Sequence, residues 1–311
     1  MNQNSKLYAQ ARVLHGLPCL PDHAYTMEVL DRMTNRYPFL SVSYIGESML
    51  GRGIPAVTLG KGEKSVLYVG GQQGGASITT WLLLRMLEEY CELYRSKGLW
   101  GSYSVPYLFS TRTLYVIPML NPDGIEYCLH GVQADHILRE RLLAMNHESE
   151  DFSDWQANAR GVELTKNYPY RFANGKQIES ESDVGLGAPS GYSGQYPESE
   201  PEIGHLCNYI RFHSDIKILM ELCTGQEKIV YMPQVGKNDH RMHTAQVLAR
   251  NGGDLPYSAQ LEDEYGTLLG WCEEELALSG FRLECGKGTR RDAFPFYTRI
   301  RNMLISAATM I

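Results

Sequence analysis

Residues 66–90 read VLYVGGQQGGASITTWLLLRMLEEY. An apolar run is followed by paired glycines, and beyond Ser77 the apolar side chains recur at helical spacing. That pattern predicts a buried strand, a glycine-rich turn and an amphipathic helix over 78–95. In α/β folds the turn at the carboxyl end of a strand is where chemistry is placed. Here the turn holds Gln72, Gln73, Gly74, Gly75, Ala76 and Ser77, none of them an acid, a base or a strong metal ligand. Its glycines fit neither GxGxxG nor GxxxxGKS, so a nucleotide-binding loop is not indicated.

The flanking sequence alternates β-rich runs with helical patterns, which predicts an α/β fold around a mixed, mostly parallel sheet flanked by helices. YTMEVLDRMTNRYP (25–38) reads as an amphipathic helix, LSVSYIG (40–46) as a strand, and 51–71 as a hairpin about a Gly-Lys-Gly-Glu turn. RTLYVIPMLNPDG (112–124) reads as a strand stopped by an Asn-Pro-Asp-Gly turn. Residues 132–200 are polar and weakly periodic, a loop-rich excursion over one face of the sheet. Helical pattern resumes at 199–213, where Ser199 and Glu202 make a capping box. A strand at 216–223, helices at 239–253 and 265–280, a strand at 280–286 and a helix near 294–308 complete one domain over 1–311, of which 1–23 is an N-terminal extension.

The chain has 311 residues, is 43% hydrophobic and carries a net charge of −7, enough apolar material for a sizeable core. The acids are interspersed and no basic stripe suits a phosphate backbone, so nucleic acid is not an expected partner. No stretch resembles a signal h-region or a membrane span of about 18 apolar residues, and the expected location is cytoplasmic. Seven cysteines at scattered spacings, without a CxxC pair, indicate neither a disulfide framework nor a zinc knuckle.

Five motifs in order carry a resemblance: YIGESMLGRGIPAVTLG (44–60), PMLNPDG (118–124), WQANARGVELTKNY (155–168), YPESEPE (196–202) and GFRLECGKG (280–288). The chain resembles the zinc carboxypeptidases of the carboxypeptidase A type, in particular bacterial members acting on peptides and peptidoglycan stems. In that family the turn after the central strand carries His-x-x-Glu, two zinc ligands, and a later strand ends in the third, a His. The matching positions here are Gln73, Ala76 and Cys223. A catalytic zinc needs three protein ligands and an open position for water. A neutral amide, a methyl and one thiol fall short of that. The family's Gly-Val-Asp-Leu-Asn, whose Asp orients a ligand imidazole, is Gly-Val-Glu-Leu-Thr here, which makes Glu163 one methylene longer with no imidazole to orient.

Glu284 stands where the family carries its general base, a role that depends on zinc bringing the pKa of water from about 15.7 to about 7. The family's Asn-Arg pair for a substrate carboxylate matches Thr165 and Lys166, and Lys lacks the bidentate fork of Arg. Arg160 offers a second cation. The family's substrate-covering tyrosine falls near NGGDLPYS, where Asp254 aligns and Tyr257 is close. What the resemblance implies is a carboxypeptidase-like domain with its zinc site vacated, no cofactor, and a peptide or peptidoglycan-fragment ligand. The alternative is an active metallocarboxypeptidase whose metal is held atypically by Cys223, Gln73, Glu284 or Glu221. His240 and His243 lie at i and i+3 without a partnered carboxylate, and His147, Glu148 and Glu150 fall in a polar loop; both sets read as solvated surface. No His is placed by sequence to activate Cys223 as a nucleophile.

Overall fold

A computed structural model describes residues 20–181, 187–233, 239–286 and 290–311. Most of the N-terminal extension, Cys19, residues 182–186 of the excursion and Thr289 lie outside the described residues. Eight strands form one mixed sheet: β1 (Ser41–Glu47), β2 (Gly53–Gly60), β3 (Lys64–Val69), β6 (Arg112–Ile117), β7 (Ile216–Cys223), β8 (Lys228–Tyr231), β9 (Tyr257–Ala259) and β10 (Ser279–Glu284). Their spatial order is β1-β2-β6-β3-β7-β10-β8-β9, and β4 (Leu99–Trp100) with β5 (Tyr103–Ser104) makes a separate small ribbon. The centre is parallel: β3 pairs with β6 and β7, and β7 with β10.

Period two along β3 explains why the whole run is apolar. Val66 and Tyr68 join the core beneath the helices His23–Arg36, Ser77–Arg95 and His240–Asn251, while Leu67 and Val69 join the core beneath Pro201–Phe212 and Leu268–Leu276. A strand covered on both faces has no polar side to show.

The hairpin expected over 51–71 does not form. β2 and β3 are separated by β6, which pairs antiparallel with β2 and parallel with β3. The connecting turn crosses the start of β6, where Gly62 N–H donates to Arg112 O. A Cβ on Gly62 would stand 2.0 Å from the Thr111 carbonyl carbon, so the crossing requires glycine. The intervening strand arrives from far along the chain, beyond the reach of local turn chemistry.

The Asn-Pro-Asp-Gly stretch is also other than expected. It opens the helix Pro122–His130, with Asn121 as N-cap accepting from Gly124 N–H at 2.9 Å and Pro122 in the first turn. The Asn121 amide also donates to Gln72 O and Ala157 O, tying the glycine-rich turn to the excursion. The capping box of Ser199 and Glu202 is absent. Glu200 is the N-cap of Pro201–Phe212 and makes no side-chain cap bond. Glu202 instead accepts from Met49 N–H at 3.1 Å.

The excursion carries the helices Arg139–Met145 and Phe172–Glu181 and has its own apolar anchor in Tyr127, Leu142, Phe152 and Trp155. Beneath it lies a buried acidic group. Glu202 is 0% exposed, and burial, reinforced by Asp123 and Glu200, pushes its carboxyl up to about 8. A carboxyl raised on folding binds more protons in the native than in the unfolded state between its two pKa values. Stability from this group is therefore present at low pH and lost as pH rises toward 8. Glu202→Gln is expected to remove a downward slope of up to about 1.4 kcal/mol per pH unit between roughly pH 5 and 8. Urea melts across that range check it, and an unchanged slope would place the proton elsewhere.

Candidate functional site

The carboxyl ends of β3, β7 and β10 lie side by side, with Glu284 in register with Cys223 and Val69 with Glu221. The turn after β3 therefore emerges beside both Cys223 and Glu284. A cavity of about 370 Å³ opens there, lined by Gln73, Cys223, Thr224 and Glu284 on the sheet side. Glu163, Thr165 and Lys166 line it from the excursion, and Asp263, Glu264 and Tyr265 from the loop ahead of Leu268–Leu276. No histidine is among the described residues that line it.

Gln73 is committed. Its Oε1 accepts from Thr224 N–H at 3.0 Å and from Thr224 Oγ1–H at 2.8 Å, which fastens the turn to the end of β7. Ala76 is wholly buried immediately before the helix Ser77–Arg95. Burial, then the charge of Glu221, holds the Cys223 thiol well above its ordinary pKa, so it lines the cavity as a protonated thiol hydrogen-bonded to Glu221. The other cysteine thiols in the core of this half, Cys207 and Cys272, are raised by burial in the same way.

Beneath the cavity runs a buried polar chain that sequence reading missed. Tyr168 Oη–H donates to Gln72 Oε1 at 2.5 Å, and Gln72 Nε2–H donates to Glu221 Oε1 at 2.7 Å. Arg282 then spans two carboxylates, with Nε 2.9 Å from Glu221 Oε2 and Nη1 3.0 Å from Glu264 Oε2. Burial works against the Arg282 charge, and its acidic neighbours, Glu221 foremost and Glu264 with it, together more than offset it, holding the guanidinium above its ordinary pKa. Arg282 lines the cavity as well. The signal was available: Arg282 and Glu284 are two apart on one strand and so share a face. Burial keeps Tyr168 protonated and thus a donor.

Glu284 reaches the cavity with its carboxylate partly engaged. Oε2 accepts from Gln226 N–H at 2.8 Å, and Oε1 lies 3.8 Å from Lys228 Nζ. Glu163 accepts from Thr165 Oγ1–H at 3.0 Å and from Gly191 N–H at 2.7 Å, and Lys166 Nζ sits 3.8 Å from it and 5.5 Å from the centre of the Tyr265 ring. Asp263 is exposed and has no ion-pair partner among the described residues.

Two of the substrate-binding candidates stand outside this cavity. Tyr257 is 40% exposed on the edge strand β9, and the tyrosine that lines the cavity is Tyr265. Arg160 is turned away because Asn158 Oδ1 accepts from both Arg160 N–H and Val162 N–H, folding the chain back there; its side chain lines a different cavity. His240, His243, His147, Glu148 and Glu150 are all exposed. Among the described residues no three His, Cys, Asp or Glu side chains are grouped to hold a metal ion.

The zinc carboxypeptidase family profile matches residues 26–266. The chain belongs to the zinc carboxypeptidase family. Gamma-D-glutamyl-L-diamino acid endopeptidase 1 of Lysinibacillus sphaericus is 27% identical over 269 residues, which cover 86% of this chain and 66% of that relative. This chain thus spans just under two thirds of that relative's length. Two solved structures share the zinc carboxypeptidase fold. Thrombin activatable fibrinolysis inhibitor superposes with a TM-score of 0.70 at 16% identity, covering 93% of this chain and 74% of that one. Murein-tripeptide amidase MpaA from Escherichia coli O157 gives 0.50 at 19% identity, covering 84% and 92%. No helix among the described residues is long and apolar enough to cross a membrane.

Proposed function

We propose that this member of the zinc carboxypeptidase family binds a peptide of the peptidoglycan-stem type in the cavity at the ends of β3, β7 and β10, without a catalytic zinc. The observation that carries this reading is the bonding of Gln73. A ligand oxygen for zinc must present a free lone pair to the metal, and Gln73 Oε1 already accepts two hydrogen bonds from Thr224. Ala76 has no ligating atom, and Cys223 by itself supplies one ligand where a catalytic zinc takes three. These residues do not fit a three-ligand zinc centre. Glu284, paired with Gln226 N–H and Lys228, then has no activated water to deprotonate.

The relatives named for a gamma-D-glutamyl-diamino acid bond and for murein tripeptide support the ligand class. The cavity suits both ends of such a molecule. Lys166 offers a cation to a carboxylate, while Asp263, without an ion-pair partner among the described residues, offers an anion to an ammonium group. Lys166→Met is expected to weaken binding of a free-carboxylate stem tripeptide about tenfold, with little effect on its C-terminal amide; calorimetric titration checks this, and equal losses for both ligands would remove Lys166 from carboxylate recognition.

Zinc content tests the reading as a whole. Elemental mass spectrometry after dialysis against trace zinc is expected to find substoichiometric metal, indifferent to Cys223→Ala and Glu284→Ala. About one zinc per chain, lost in either variant, would overturn the proposal in favour of hydrolysis at an atypical metal site.

A further inference from the structure

A second cavity, of about 310 Å³, opens in the excursion, and Arg160 faces it together with Arg141, Tyr192, Tyr196, Ser199 and Glu200. It shares a wall with the first. Glu163 N–H donates to Tyr192 O at 2.8 Å and Glu163 Oε2 accepts from Gly191 N–H at 2.7 Å, so two segments bonded to each other present Glu163 to one cavity and Tyr192 to the other.

The polar groups of this cavity fall into two sets. The floor is satisfied internally: Ser199 Oγ–H donates to Glu200 Oε1 at 2.8 Å, Asn158 Nδ2–H donates to Glu200 Oε2 at 2.7 Å, and Asn167 Nδ2–H donates to Ser199 Oγ at 3.0 Å. The two arginines are not. Arg141 is exposed and makes no ion pair among the described residues. Arg160 has one distant pairing, 3.9 Å to Glu200, which is too long for a hydrogen bond. Two guanidinium forks beside tyrosine rings form a receptor for a planar anion. The fixed carboxylate of Glu200 leaves the cavity one net positive charge, which matches a monoanion and penalises a dianion.

We propose that this cavity is a second ligand site, selective for a carboxylate monoanion and held by Arg141 and Arg160. It stands independently of the function proposed for the first cavity.

The test uses the full chain carrying Lys166→Met, which silences the carboxylate cation of the first cavity, and ligand-observed magnetic resonance titrations at pH 8. N-acetylglycine is expected to bind saturably, and its neutral amide N-acetylglycinamide not to bind. Arg141→Ala and Arg160→Ala should each weaken N-acetylglycine tenfold or more. Arg141→Lys and Arg160→Lys, which keep charge and stem but lose the fork, should weaken it severalfold. Both arginines are solvent-accessible, and thermal melts establish that the variants remain folded. Absence of saturable binding in the Lys166→Met protein, or binding indifferent to both arginines, overturns the site. Inorganic phosphate, largely dianionic at this pH, binding as tightly as N-acetylglycine would overturn its selectivity for a monoanion.

Discussion

Replacing Arg282 with Met is expected to lower the unfolding free energy by about 3–5 kcal/mol, the cost of leaving a buried carboxylate without its cation. Glu221 lies on the central strand β7 with its side chain 1% exposed, and Arg282 is 12% exposed. The neutral Gln72 amide and the Cys223 thiol would remain to solvate that charge. Removing both ends of the pair relieves the penalty. The double variant Arg282→Met/Glu221→Leu should recover most of the loss, because the two substitutions share one interaction. Urea unfolding of wild type, both single variants and the double variant closes the cycle. A single-variant loss below about 1 kcal/mol, or a double variant no better than Arg282→Met, would show that water or another group already compensates Glu221. The consequence reaches the first cavity, since Gln72 is anchored to Glu221 and adjoins Gln73. Loosening the pair should weaken ligand binding even where the fold survives.

Local pattern disclosed what depends on local pattern. The helix read over 78–95 spans Ser77–Arg95, and the strand IKILMELC is β7 without adjustment, because side-chain period and burial are written along each segment. Partnership is not local. The chemistry of 60–63 suits a hairpin, but β6 enters between β2 and β3 from residues 112–117, and only the assembled sheet shows it. The same distinction divides the site. Gln73, Cys223, Glu284, Thr165 and Lys166 were found from family motifs and converge on one cavity. Arg160 belongs to the same motif but turns off at Asn158. Tyr265 and Arg282 were missed: Tyr265 sits in a loop with no periodicity to mark it, and Arg282 was overshadowed by Glu284 two residues on. The buried chain from Tyr168 through Gln72 and Glu221 to Arg282 joins four distant segments, and no spacing rule announces such a chain.

Installing His, Glu and His at the positions matched to the family's ligands, through Gln73→His, Ala76→Glu and Cys223→His, is expected on the zinc-free proposal to create a zinc site where the natural residues hold none. The cost without metal is steep. Ala76 is 0% exposed, so Ala76→Glu buries a carboxylate, and Gln73→His removes the acceptor that holds Thr224 N–H and Oγ1–H. Overpacking and an unpaired buried donor each cost about 1–3 kcal/mol, which makes the apo triple variant several kcal/mol less stable than wild type. Zinc should reverse this, adding about 2.7 kcal/mol when free metal stands at 100 times its Kd. The natural chain should respond to the same zinc by less than about 0.5 kcal/mol, since an unbound ion shifts no folding equilibrium. Chemical unfolding with and without zinc, each paired with chelator, reads all four states. Equal stabilisation of both proteins would mean that the natural residues already hold a metal and would end the zinc-free reading. A triple variant that folds yet ignores zinc would mean instead that the three positions do not converge on one point, and the correspondence drawn from the motifs would have to be redrawn around Glu284.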